Sequence, residues 1–123
     1  MTTDLMLVVD NRPGALADVA EAMGRVGVNI EGICCFVSQG IAMVHVAVEH
    51  AGSARKELEH IGLKVYEARE VVVFDLEDSP GAAADVLRRI GNAGVSLDMA
   101  YLATGTRMVI AADDLDKVRA VLS

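Results

Sequence analysis

The 123-residue chain has no Trp, and aromatic residues make up only 3% of it. Its hydrophobic content of 53% therefore comes mainly from aliphatic side chains and methionine, which is enough apolar material for an aliphatic core. The apolar runs are much shorter than the ~20 residues that a membrane-spanning helix requires. The N-terminal residues lack the charged and apolar segments of a signal peptide. We therefore expect a cytoplasmic protein.

Basic residues are also scarce. The chain has 11 Lys and Arg against 18 Asp and Glu, which gives a formal net charge of −7. Nucleic acids and anionic membranes bind best to a basic face, so this balance argues against both as partners.

The sequence offers little material for catalysis or metal binding. The only cysteines, Cys34 and Cys35, are adjacent, and we expect a cytoplasmic protein to keep them reduced. The three histidines, His45, His50 and His60, have no metal-ligand spacing with them. No phosphate-binding Gly-rich loop and no Ser–His–Asp signature is present. We predict no catalytic residue, no metal site and no cofactor.

An internal repeat is the strongest signal. The segments DNRPGALADVAEAMGRVGVN (10–29) and EDSPGAAADVLRRIGNAGVS (77–96) align without a gap at an offset of 67 residues. Over the 18 pairs that begin with Pro13 and Pro80, nine are identical. Unrelated segments would share about one identity over such a window. We therefore predict two duplicated units, 1–69 and 70–123.

Each copy has the periodicity of a strand, a helix, two strands and a second helix. The second strands are expected at 29–37 and 96–102, and only copy one continues into a further strand at about 63–68. The order βαββαβ followed by βαββα predicts an α+β fold of two ferredoxin-like units, with antiparallel sheets, helices on one face, and a second unit that lacks its last strand.

Helix boundaries follow from the residue types. Pro13 and Pro80 suit a first helical turn, and Ser79 suits an N-cap. Gly27 and Gly94 suit the left-handed residue that ends a helix.

The strand at 41–49 is nearly as apolar on one face as on the other. Helices on one side would leave the second apolar face uncovered, which soluble monomers avoid. We expect a second copy of the chain to cover it in a homodimer, and we expect the open edge of strand 71–76 to attract a partner.

The turn Asp10-Asn11-Arg12-Pro13-Gly14 places polar side chains beside free N–H groups at a helix start, which favour a carboxylate. Asp10 could hold an ammonium group, and Asn29 can both donate and accept hydrogen bonds. This mixture suits a zwitterion. The alternative is that these residues only form a turn and start a helix.

The motif Asp-x-x-Pro-Gly-Ala-Leu (10–16), followed by Gly-Val-Asn-Ile (27–30), resembles an ACT domain. Copy two repeats the pattern with Ser96 in place of Asn29 and Ala83 in place of Leu16. The resemblance implies tandem, stand-alone ACT units that bind an amino acid where the first turn of one unit meets the second strand of its neighbour. It implies contacts from Asp10, Asn11, Arg12, Pro13, Gly14, Ala15, Leu16, Asn29, Ile30, Asp78, Gly81, Ser96 and Leu97.

We therefore expect a non-catalytic, allosteric regulatory module that binds an amino acid and acts on a partner enzyme or regulator. Aliphatic residues near the expected site, such as Leu16 and Ile30, favour a small or aliphatic ligand. Two alternatives stay open, a ligand-free oligomerisation module and a small ferredoxin-like enzyme.

Overall fold

The computed structural model describes residues 1–123. The chain divides into two compact units, Met1–Glu70 (unit 1) and Val71–Ser123 (unit 2). This boundary lies one residue after the boundary that the repeat predicts.

Each unit contains one copy of the repeat. Unit 1 consists of β1 (Thr3–Asp10), α1 (Ala15–Arg25), β2 (Gly32–Ser38), β3 (Ile41–Val48), α2 (Ala51–His60) and β4 (Val65–Glu70). Unit 2 consists of β5 (Val72–Asp75), α3 (Ala82–Asn92), β6 (Leu97–Ala103), β7 (Arg107–Ala112) and α4 (Leu115–Leu122). The predicted orders βαββαβ and βαββα are confirmed. None of the four helices is long and apolar enough to cross a membrane.

The sheet of unit 1 has the strand order β4-β1-β3-β2, and each neighbouring pair is antiparallel. At one end of the sheet, Asp10 pairs with Ile41, which in turn pairs with Ser38. At the other end, Gly32 pairs with Ala47. Because β1 and β2 are both antiparallel to β3, the end of β1 and the start of β2 lie at opposite ends of this sheet. Unit 2 repeats the arrangement with the order β6-β7-β5.

The core of unit 1 lies between its sheet and its two helices. Alternate residues of β1 and β3 point to the helices and are fully buried, as the strand period of two requires. On the helix side, Val19 and Met23 of α1 and Leu58 of α2 are completely buried. The smaller core of unit 2 is centred on Ile90 and Ile110. Both cores are aliphatic, as the scarcity of aromatics predicts.

The other face of the unit 1 sheet carries no helix. Phe36 and Ile41 on this face are 49% and 47% exposed, and Met6, Val8 and Met43 beside them are partly buried. We call these five residues the helix-free cluster. They agree with the expectation that β3 is apolar on both faces.

The helices begin later than the sequence predicts. Gly14 and Gly81, with φ of 85° and 89°, are the N-cap residues of α1 and α3, and no side chain caps either helix. Pro13 therefore precedes the N-cap instead of lying in the first helical turn, and Ser79 is not an N-cap. A positive φ interrupts helical geometry, so the helix can start only after the glycine.

The helix ends follow the prediction. Gly27 and Gly94 have φ of 68° and 82°. After α1, the N–H of Gly27 donates to the carbonyl of Gly24 and the N–H of Val28 donates to that of Met23, at 3.2 and 3.0 Å. These two bonds form a Schellman motif, which uses a left-handed glycine to satisfy the last helical carbonyls.

Candidate functional site

The β1–α1 turn holds its backbone in place with its own hydrogen bonds. The N–H of Arg12 donates to the carbonyl of Asp10 at 2.9 Å, and the N–H of Ala15 donates to that of Arg12 at 3.2 Å. The N–H groups of Leu16 and Ala17 have no backbone acceptor. Because Gly14 provides no side-chain cap, these two donors remain available at the positive end of the α1 dipole.

The guanidinium of Arg12 is already engaged. Its Nη2 lies 2.6 Å from Oδ2 of Asp18, and its Nη1 donates to the carbonyl of Pro13 at 3.2 Å. Both side chains of the ion pair are about half exposed, at 55% and 46%. Asn11, by contrast, is exposed and makes no hydrogen bond within the turn.

A cleft of about 210 Å³ opens beside this turn, and we call it the turn cleft. Buried Val9 and Ala15 form part of its wall, and Ile61 and Leu63 contribute from the segment between α2 and β4. Five charged side chains complete the lining: Asp10, Arg12, Asp18, Glu21 and Arg25. The cleft thus combines an aliphatic floor with charges of both signs.

Only the acidic groups of this lining include members without an ion-pair partner. Nε of Arg25 lies 3.2 Å from Oε1 of Glu57, so both guanidinium groups of the cleft are paired within unit 1. Neither Asp10 nor Glu21 makes a salt bridge, and both are exposed. Two carboxylates therefore face the cleft with their charge uncompensated.

Asn29 and Ile30 are far from this turn within unit 1. They precede β2, which begins only at Gly32 because that is the first residue paired in register with β3. The predicted strand start at Asn29 is therefore three residues early. The six residue steps from Gly32 to Ser38 separate the two ends of the sheet by about 20 Å. The turn and Asn29 of one unit therefore cannot bind the same small ligand together.

The side chain of Asn29 is also engaged locally. Its Nδ2 donates to Oε2 of Glu31 at 2.5 Å. Ile30 packs against the core of unit 1.

Unit 2 repeats the turn with fewer functional groups. The N–H of Ser79 donates to the carbonyl of Glu77 at 3.0 Å, and Gly81 adopts the same left-handed conformation as Gly14. Ser79 stands where unit 1 has Arg12, so this turn lacks a guanidinium at that position. Asp78 is exposed in the turn.

Ser96 and Leu97 lie at the other end of the unit 2 sheet. Leu97 pairs with Ala112, whereas Asp75, just before the turn, pairs with Arg107. The strand β6 begins at Leu97, one residue later than predicted. The separation seen in unit 1 therefore recurs in unit 2.

The sequence analysis missed part of the cleft lining. Asp18, Glu21 and Arg25 follow the helical spacing i, i+3, i+7, so their shared face of α1 could have been read from the sequence. Ile61 and Leu63 carry no such signal, because their place depends on how the α2–β4 segment packs. No group of three or more His, Cys, Asp or Glu residues is arranged to hold a metal ion.

Comparison with known proteins identifies the fold family. The family described as AHAS small subunit-like ACT domain matches residues 5–67, which is just over half of the chain. The chain belongs to the ACT-domain family. The resemblance found in the sequence is thus confirmed. No curated protein matches the chain.

Solved structures extend the similarity to both ACT units. Protein BT0572 from Bacteroides thetaiotaomicron superposes with a TM-score of 0.83 at 25% identity, covering 98% of this chain and 85% of that one. The ligand-free regulatory subunit of aspartate kinase from Thermus thermophilus gives 0.73 at 18% identity, with coverages of 98% and 90%. The corresponding subunit from Thermus flavus gives 0.68 at 17% identity, with coverages of 99% and 93%. These similarities place the whole chain in a tandem ACT fold.

Proposed function

We propose that this chain is a non-catalytic regulatory module that binds an amino acid in the turn cleft of unit 1. One observation carries the proposal: the β1–α1 turn of an ACT unit opens into a cleft that combines an aliphatic floor, both signs of charge and free helix N–H groups. Two proteins of similar fold are regulatory subunits of aspartate kinase. They support a role in which the ligand modulates a partner enzyme in the cytoplasm.

Each part of an amino acid has a counterpart in the cleft. The N–H groups of Leu16 and Ala17 suit the carboxylate, because helix N-termini bind anions. The carboxylate of Asp10 suits the ammonium group. Val9 and Ala15 offer a surface to an aliphatic side chain. The volume of about 210 Å³ is below the ~300–1,000 Å³ of sites for drug-sized ligands, which fits a small amino acid.

We propose a second set of contacts from another ACT unit. Asn29 and Ile30, or their counterparts Ser96 and Leu97, cannot reach the turn of their own unit. They would contact a ligand held at the turn of a neighbouring unit, as the sequence resemblance implies. Such a ligand would favour whichever arrangement of units gives it both sets of contacts, and this preference is the basis of allosteric control.

A ligand-free oligomerisation module is the second candidate function. The exposed side chains of Phe36 and Ile41 favour it, because a contiguous apolar patch on a sheet often marks a protein interface. We propose that a second copy of the chain covers this face, and this homodimer is compatible with either function.

The test is a thermal-shift screen of the purified chain against the twenty amino acids at millimolar concentration. A ligand at 100 times its Kd adds about 2.7 kcal/mol of stability, which raises Tm by several degrees. Asp10→Asn should abolish this rise, whereas Asp78→Asn at the equivalent position of unit 2 should preserve it. A screen in which no amino acid raises Tm would reject the proposed function and leave the oligomerisation module.

A further inference from the structure

We propose that the turn cleft selects its ligand mainly through the ammonium group, and that Asp18 competes with the ligand's carboxylate for Arg12. This inference rests on the proposed function, that the cleft binds an amino acid, and it adds which end of the ligand dominates recognition. The expected ligand class is a molecule with a free ammonium group on a short aliphatic stem.

The guanidinium groups of the cleft are occupied. Arg12 is held by Asp18 at 2.6 Å, and Arg25 is held by Glu57 at 3.2 Å. A ligand carboxylate can therefore pair with Arg12 only by replacing an equivalent carboxylate. Such an exchange yields little net free energy, because one charge-assisted hydrogen bond is lost for each one formed.

The acidic groups of the cleft are in the opposite state. Asp10, at the end of β1, and Glu21, in the middle of α1, have no ion-pair partner. The charged lining contains three carboxylates and two guanidinium groups, so its net charge is −1. An ammonium group entering the cleft gains new charge-assisted hydrogen bonds without displacing an existing one.

The aliphatic floor adds selection for a short stem. Val9 and Ala15 are both only 6% exposed, and the partly buried Ile61 and Leu63 lie against the core of the unit. An aliphatic stem on this floor loses contact with water. Its burial contributes about 0.8 kcal/mol per CH₂ group, and this contribution does not depend on the charged end of the ligand.

Unit 2 provides a matched control. Asp85 occupies the position of Asp18, 67 residues further along, but Ser79 stands where unit 1 has Arg12. Asp85→Asn therefore removes the same charge from the same helical position, without releasing a guanidinium group at the turn.

The experiment compares three probes that share one stem. L-Valine has both charged groups, isobutylamine lacks the carboxylate and isovalerate lacks the ammonium group. Affinities are measured by isothermal titration calorimetry on the wild-type chain, Asp18→Asn and Asp85→Asn. The series alanine, ethylamine and propionate repeats the comparison with a shorter stem.

Isobutylamine should bind the wild-type chain within about tenfold of L-valine, and isovalerate at least about tenfold more weakly than isobutylamine, since one charge-assisted hydrogen bond is worth roughly that factor. Asp18→Asn should tighten isovalerate binding by about fivefold, the upper range for an exposed ion pair. Asp85→Asn should leave all three affinities unchanged.

Other results overturn the inference. It fails if neither amine binds the wild-type chain, if isovalerate binds as tightly as isobutylamine, or if Asp18→Asn does not tighten isovalerate binding. Its failure differs from failure of the proposed function. If L-valine binds but the amines do not, an amino-acid site stands without ammonium selection. If the amines bind and no amino acid does, ammonium selection stands and the amino-acid ligand is wrong.

Discussion

Gly14 and Gly81 lie 67 residues apart and adopt the same backbone conformation, with φ and ψ of 85° and −6° in one and 89° and −11° in the other. Each precedes the first residue of a helix that follows the opening strand of its unit. The duplication is therefore preserved at the level of single dihedral angles, at the turn where we place the ligand.

Alanine at either glycine should destabilise the chain. A left-handed conformation costs an alanine about 1–2 kcal/mol, so Gly14→Ala and Gly81→Ala should each lower the free energy of unfolding by roughly that amount. Gly24→Ala is the control, because Gly24 lies inside α1 with a helical conformation and open space around it. It should raise stability by up to about 1 kcal/mol. Urea denaturation measures all three, and equal effects of Gly14→Ala and Gly24→Ala would contradict this account of the turn.

These glycines also show what a sequence can reveal. The left-handed Gly27 and Gly94 were predictable, because a helix end needs such a residue within one or two positions. The start of the helices was predicted wrongly at Pro13 and Ser79. Both residues fit local rules for helix starts, but Gly14 and Gly81 take a positive φ that no residue type announces, and the helices begin after them.

The cleft was only partly predictable for a related reason. Asp10, Arg12 and Ala15 belong to a contiguous motif, which a repeat can expose. The pairing of Arg12 with Asp18 depends on a side-chain conformation, and the contribution of Ile61 depends on the packing of a segment far along the sequence. Register in the sheet, which separates Asn29 from the turn, required the strand pairings themselves.

A buried carboxylate on the helix-free face leads to a second prediction. Asp4 is only 1% exposed, and its Oδ2 lies 2.9 Å from Nδ1 of His45. His45→Ala removes one hydrogen bond from this buried group and should lower the free energy of unfolding by about 1–3 kcal/mol. Exposed His60 is the control, and His60→Ala should change stability by less than about 0.5 kcal/mol. Equal losses for the two variants, measured by urea denaturation, would show that the Asp4–His45 contact contributes nothing.

The helix-free cluster leads to a third prediction. If a second copy covers it, Phe36→Asp places a charge in an apolar interface and should convert a dimer to a monomer at micromolar concentration. Tyr66→Asp is the control, because Tyr66 is an exposed aromatic residue outside the cluster, at 56%. Light scattering gives the mass of each. A monomeric wild-type chain, or a Phe36→Asp variant that keeps the mass of the wild type, would remove this interface.

The central claim is that an amino acid binds at the start of α1 in unit 1, and amide NMR tests it most directly. The ¹H–¹⁵N spectrum is recorded while each of the twenty amino acids is added in turn. For at least one of them, the account predicts saturable shifts of the Leu16 and Ala17 amides, with smaller shifts for the equivalent Ala83 and Ala84 amides of unit 2. Saturable shifts confined to other residues, or none with any amino acid, would contradict it.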